Sequence, residues 1–116
     1  MSDSLVILRD TVRAFAAERD WDQFHSPKNL AMALSVEAAE LLEHFQWLTE
    51  EASKNLSDSK RAEVKLELAD VLIYLVRLAD KLDVDLFAAA KEKISLNAAK
   101  YPIDKAKGSM KKYTEL

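Results

Sequence analysis

Cysteine is absent from the 116-residue chain, so neither a disulfide nor a thiolate metal site can form. Glycine occurs once and proline twice. Both interrupt helices, and their scarcity points to long unbroken helices rather than to strands and turns. No apolar run approaches the ~20 residues needed to span a bilayer. The opening MSDSLVILRD has neither the basic start nor the long apolar core of a secretion signal, so a cytoplasmic protein without a membrane segment is expected. Positive charge is not in excess either: 17 Lys and Arg against 20 Asp and Glu leave a net charge of −3. That argues against non-specific nucleic-acid binding, which needs a basic surface. A small anionic ligand remains open, because a bound cation reverses the local field.

What is present is an ordinary globular balance, 49% hydrophobic and 32% charged, in a length that suits one domain over residues 1–116. Ser2 or Asp3 can cap a first helix, with Leu5, Leu8, Val12 and Phe15 at helical spacing through to about Asp20. Trp21 to Ser26 reads as a loop, and Ser26-Pro27 as the cap and first residue of a second helix running to about Leu48. Thr49 to Ser57 is polar and predicts a loop. Asp58 or Ser57 caps a third helix reaching about Leu82, and Asp85 caps a fourth that ends near Lys100, because Pro102 disfavours helix in the residue before it. Residues 103–116 form a basic, polar tail with the lone Gly108. Four helices with short connections predict an all-α, four-helix bundle-like fold. Val71, Leu72, Leu75, Val76 and Ala79 give the third helix an apolar arc wider than one buried face, which in so small a domain predicts a subunit interface.

Two acidic stripes carry the chemistry. Glu37, Glu40, His44 and Trp47 fall at i, i+3, i+7 and i+10 of the second helix, and Glu63, Glu67, Asp70, Tyr74 and Arg77 line one side of the third. If these helices pack together, Glu37, Glu40, Glu67 and Asp70 converge. Spacing alone is weak, since most such stripes are solvated faces. These pairs, however, border the most apolar segments. Converging carboxylates repel by ~1 kcal/mol per pair in water, and a divalent cation offsets that. All-oxygen ligands suit Mg²⁺, with Mn²⁺ as a substitute. A di-iron bundle needs Glu-x-x-His on two helices, whereas His44 follows Glu40 by four residues and the third helix has no histidine. Mg²⁺ held by few carboxylates completes its shell with water and phosphate oxygens, so chemistry on a di- or triphosphate follows.

Lys93, Asn97 and Lys100 share a face of the fourth helix, with Tyr101 next; they suit phosphate, or equally a solvated basic helix end. Trp21, Phe24, His25 and Trp47 are candidates to stack on a nucleobase, against the commoner use of tryptophan as a core anchor.

At this point the motifs resemble a known family. Glu37-x-x-Glu40 followed by Glu67-x-x-Asp70 is similar to the paired acidic motif of MazG-like all-α NTP pyrophosphohydrolases. FAAERDWDQFHSPKNL (Phe15 to Leu30), EAAELLEHFQW (Glu37 to Trp47), ELADVLIYL (Glu67 to Leu75), NAAKYP (Asn97 to Pro102) and GSMKKYTEL (Gly108 to Leu116) resemble its dCTP pyrophosphatase branch. The resemblance implies a bundle assembled as a dimer of dimers, a homotetramer. It implies Mg²⁺ on Glu37, Glu40, Glu67 and Asp70, nucleotide contacts from Trp21, His25, Trp47 and Tyr74, and phosphate contacts from Lys93, Asn97, Lys100 and Tyr101. The implied reaction splits a (deoxy)nucleoside triphosphate, dCTP or a modified dCTP, into monophosphate and pyrophosphate. Val12 departs from the pattern, standing where some relatives carry a nucleotide-contacting histidine. The alternatives are the same chemistry on another non-standard nucleotide, or a non-catalytic helical oligomer that binds a nucleotide or partner.

Overall fold

Each long helix after the first begins at a short polar side chain that accepts one of the backbone N–H groups left over in the first turn. The structure, a computed structural model, describes residues 3–116, so Ser2 as a cap lies outside the described residues. Helix α1 spans Asp3–Glu18. Ser26 Oγ accepts from the Asn29 N–H at 3.1 Å to open α2, Pro27–Glu43. Thr49 Oγ1 opens the single turn α3, Glu50–Ser53, within the stretch the sequence reads as loop. Ser57, not Asp58, caps α4, Asp58–Lys81. Asp85 accepts from the Ala88 N–H at 3.0 Å to open α5, Leu86–Lys100. A last turn, α6, covers Ile103–Ala106 within the expected tail. Among the described residues there is no strand, and no helix is long and apolar enough to cross a membrane.

Two helices end without the glycine that usually permits it. Asp20 follows α1 at φ +54° and Asp83 follows α4 at φ +55°. Aspartate tolerates this left-handed region better than most side chains. In each case the next residue's N–H reaches back five residues, Trp21 to the Ala16 carbonyl and Val84 to the Ala79 carbonyl, both at 2.9 Å. This is the Schellman closure, and it stops α1 at Glu18 instead of Asp20. The second helix also ends sooner than its pattern predicts, at Glu43 rather than Leu48. Tight turns carry the chain from His44 to Leu48, with Phe45 N–H on the Leu42 carbonyl and Leu48 N–H on the Phe45 carbonyl, each at 2.9 Å. Thr49 must be extended (ψ 162°) to cap α3, so the helix cannot run through to it. Trp47 is thereby removed from the face it would share with Glu37 and Glu40.

The chain divides into two compact units, Met1–Val84 and Asp85–Leu116. In the first, α4 is the central helix and both α1 and α2 pack on it. Ala16, Leu30, Val64, Val76 and Ala79 are buried there, together with Arg77. The apolar arc of α4 is split: Val76 and Ala79 face inward, while Leu68, Leu72 and Leu75, at i, i+4 and i+7, form an exposed stripe. In the second unit the tail folds back on the end of α5. The Tyr101 and Tyr113 rings meet edge to face at 5.9 Å, and the Lys100 ammonium lies 4.9 Å from the centre of the Tyr113 ring. Gly108, at φ +77°, makes the left-handed turn that this reversal needs.

Candidate functional site

Packing of α2 on α4 brings Glu37 against Glu67 and Asp70, one carboxylate oxygen from each lying within 4.8 Å of the other two. Glu37 Oε2 and Glu67 Oε2 are buried and receive no hydrogen bond from the protein. Buried carboxylate oxygens without donors are costly, the more so beside like charges. The Glu37 carboxyl is accordingly pushed up to about 7, first by loss of hydration and then by the neighbouring carboxylates of Glu40, Asp70 and Glu67. Three carboxylates in a short span, two of them carrying a buried oxygen without a donor, fit a hard divalent cation. Glu40, one turn beyond Glu37, adds charge beside this triad and stands outside the group of three.

From Asp70 a cleft of about 240 Å³ extends along α4 toward Tyr74 and Arg77. Asp70 belongs to both the triad and the cleft. With 1.5 Å of rise per residue, the seven residues from Asp70 to Arg77 give the cleft a wall of about 10 Å. Val12 and Phe15 of α1 form the opposite wall, and the turn after α1 contributes Trp21 and His25. The Schellman closure at Asp20 is what sets Trp21 there, edge to face with Phe15 at 5.7 Å and with His25 at 6.5 Å.

The far end of the cleft is charged. Arg77 is only 4% exposed. Its Nη2 donates to Asp22 Oδ1 at 2.7 Å, its Nη1 to Asp80 Oδ2 at 3.3 Å and its Nε to His25 Nδ1 at 3.1 Å. Arg13 of α1 binds Asp80 at two points, and Lys81 binds Asp22. The hydrogen bond from Arg13 holds the Asp80 carboxyl below its usual range, and that from Lys81, with help from Arg77, does the same for Asp22. Burial, followed by the positive charges of Arg77 and Lys81, lowers His25.

Of the residues singled out in the sequence, Glu37, Glu67 and Asp70 come together, and Trp21, His25 and Tyr74 line the adjoining cleft along with Val12. Trp47 does not join them: it lies in the turn after α2 and is 88% exposed. His44, which the spacing puts in the acidic stripe, has its Nδ1 3.3 Å from Lys60 Nζ. Lys93, Asn97, Lys100 and Tyr101 belong to the second unit, the first three exposed along α5 and Tyr101 half-buried at its end. Arg77, a member of the α4 stripe with no role assigned from sequence, lines the cleft, and its partners Asp22 and Asp80, with Arg13 beyond them, carried no sequence signal. The available signal was Arg77 at seven residues from Asp70 and three from Tyr74, on one face of α4.

The features so far define an all-α protein in which a carboxylate triad opens into an aromatic cleft. The MazG-like family model matches residues 32–116. The chain is 51% identical over 104 residues to dCTP pyrophosphatase 1 of Homo sapiens and 49% identical to that of Mus musculus, covering in each case 88% of this chain and 61% of the relative. It thus spans about three-fifths of the length of these curated relatives. It is also similar to the crystal structure of a pyrophosphatase from Archaeoglobus fulgidus, with a TM-score of 0.81 and 40% identity over 88% of this chain and 95% of that one. The chain belongs to the MazG-like family.

Proposed function

We propose that the protein is a Mg²⁺-dependent nucleoside triphosphate pyrophosphohydrolase acting on dCTP or a modified dCTP, cytoplasmic and homotetrameric, with a role in clearing such nucleotides. The observation that carries this reading is the junction at Asp70, where a carboxylate triad meets a cleft about one nucleoside long. Phosphates would lie at the triad and the base between Trp21, His25 and Tyr74. Resemblance in sequence to proteins named dCTP pyrophosphatase 1 supports the substrate. The exposed apolar stripe Leu68, Leu72 and Leu75 supports self-association.

Glu37, Glu67 and Asp70, with Glu40 beside them, are the residues that would hold Mg²⁺, which supplies positive charge to the phosphate oxygens. The chain's own groups do the rest. Glu40 or Glu37 takes the proton of a water whose oxygen bonds to the α-phosphorus. The bond from that phosphorus to the bridging oxygen breaks in line, and pyrophosphate leaves with the electron pair. Trp21 and Tyr74 hold the base, and the family resemblance further implies Trp47 at the base and Lys93, Asn97, Lys100 and Tyr101 at the phosphates.

The test is pyrophosphate release from the canonical and several 5-substituted deoxynucleoside triphosphates, with Mg²⁺ and with EDTA. Release that needs Mg²⁺ and peaks on dCTP or its derivatives is expected. A folded protein that releases nothing from any triphosphate overturns the reading in favour of a binding protein, and a peak on another base overturns the substrate.

A further inference from the structure

We propose that Arg77 is a positioning residue of the cleft: it holds His25 as the neutral tautomer protonated on Nε2, so that this wall offers a bound nucleotide a hydrogen-bond donor. As far as the ligand is a nucleotide, the inference rests on the function proposed above.

The tautomer follows from what arginine can and cannot do. A guanidinium carries no acceptor and keeps its protons at any ordinary pH. Its Nε–H therefore donates in the 3.1 Å contact with His25 Nδ1, and that nitrogen must present its lone pair. A neutral imidazole with a bare Nδ1 has its proton on Nε2. The arrangement is rigid because Arg77 is buried and bound at three points, to Asp22 on the turn after α1, to Asp80 one turn along α4 and to His25.

Burial first, and then charge, keep the ring neutral. His25 is faced from α4 by Arg77 and Lys81 and from the short turn by Asp22. Tyr74 and Asp70 of α4 line the same cleft, and among the described residues α1 contributes Val12, Phe15 and Ala16, none of them charged. A third positive charge beside two cations and one carboxylate is disfavoured, and burial acts in the same direction.

Redundancy in the network shows which contact depends on Arg77 alone. Asp80 keeps both points of its pair with Arg13, and Asp22 keeps Lys81. Removing the guanidinium therefore leaves both carboxylates paired. Only His25 Nδ1 loses its donor. The ligand chemistry this selects is a base or sugar that turns an acceptor, a carbonyl oxygen or unprotonated ring nitrogen, toward His25.

The test uses ¹⁵N NMR of the histidine rings in the full chain, alongside steady-state kinetics on dCTP. In the parent, His25 is expected to carry its proton on Nε2 from pH 6 to 8. In Arg77→Met the ring should sample both tautomers and titrate at higher pH than in the parent, since burial and Lys81 remain while one cation is gone. KM should then rise about tenfold, the worth of one hydrogen bond, with kcat falling less than threefold. In a double-mutant cycle, adding Arg77→Met to His25→Gln should leave KM where His25→Gln alone puts it. A parent ring protonated on Nδ1, a ring unchanged by Arg77→Met, or additive effects in the cycle would each overturn the proposal. If no triphosphate is hydrolysed, the functional reading fails separately and the nitrogen signals still decide the role of Arg77.

Discussion

Arg13 of α1 meets Asp80 of α4 as a two-point ion pair, Nε to Oδ2 at 2.9 Å and Nη2 to Oδ1 at 2.6 Å. The two residues are 67 positions apart, and their pairing ties α1 to the central helix. The Asp80 side chain is 12% exposed and that of Arg13 is 53% exposed, so the two partners are not equivalent. Asp80 also serves the buried Arg77, whereas Arg13 is half in water.

That asymmetry predicts an order of stability. Asp80→Asn leaves the buried Arg77 short of a carboxylate and should cost about 2 kcal/mol. Arg13→Met removes a solvent-screened partner and should cost less. Urea denaturation should rank parent above Arg13→Met above Asp80→Asn, and the reverse order of the two variants would contradict the network described.

The carboxylate triad predicts an opposite sign for its own members. Glu67→Gln removes one of the crowded like charges, so the metal-free protein should melt higher by about 1 kcal/mol of added stability. The same substitution should abolish calorimetrically detected Mn²⁺ or Mg²⁺ binding and, with it, turnover. Asp70→Asn should behave alike, with the helical circular dichroism intact. A variant that keeps full activity without its carboxylate would remove the metal site from the proposed function.

Stability against pH should have two limbs. Glu37 is raised from 4.5 to about 7, so its contribution is complete below 4.5 and is lost as pH rises through about 7. Asp22 and Asp80 are lowered, so theirs is present above the ordinary 3.8 and is lost as pH falls below it. Melting curves in EDTA should therefore decline between pH 5 and pH 8, and saturating Mg²⁺ should flatten that decline, since a cation on the triad favours the ionised form. A metal-free protein that grows more stable across this interval would refute the assignment to Glu37.

Trp47 separates binding from folding. At 88% exposure it contributes little to the packing of the free chain, and Trp47→Ala should change stability by less than about 0.5 kcal/mol. Under the proposed function the same variant raises KM. An unchanged KM on every base would take Trp47 out of the nucleotide site.

The stripe of Leu68, Leu72 and Leu75 gives a direct check of assembly. Under the proposed self-association, Leu72→Glu, which puts a charge in the middle of the stripe, should sediment as a smaller species than the parent at equal concentration. A parent that sediments as a monomer would remove self-association from the proposed function.

Helix formation and its starting points were legible in the sequence because they are local. Ser26-Pro27, Ser57 and Asp85 each sit within three residues of the N–H they cap, and the acidic pairs Glu37 with Glu40 and Glu67 with Asp70 are one turn apart on single helices. The ends were less legible. Asp20 and Asp83 close α1 and α4 in the backbone conformation usually signalled by glycine, and Thr49, by capping α3, cut α2 short of Trp47. Only tertiary structure decided which face of α4 met α1 and which met α2. That choice brought Glu37 to Glu67 and Asp70, left Leu72 and Leu75 outside, and gathered Arg13, Asp22, His25 and Asp80 around Arg77 from three separate stretches of chain. Spacing along one helix is set by the backbone hydrogen bonds of that helix, whereas contacts between residues more than fifty positions apart depend on how whole helices bury their surfaces against one another.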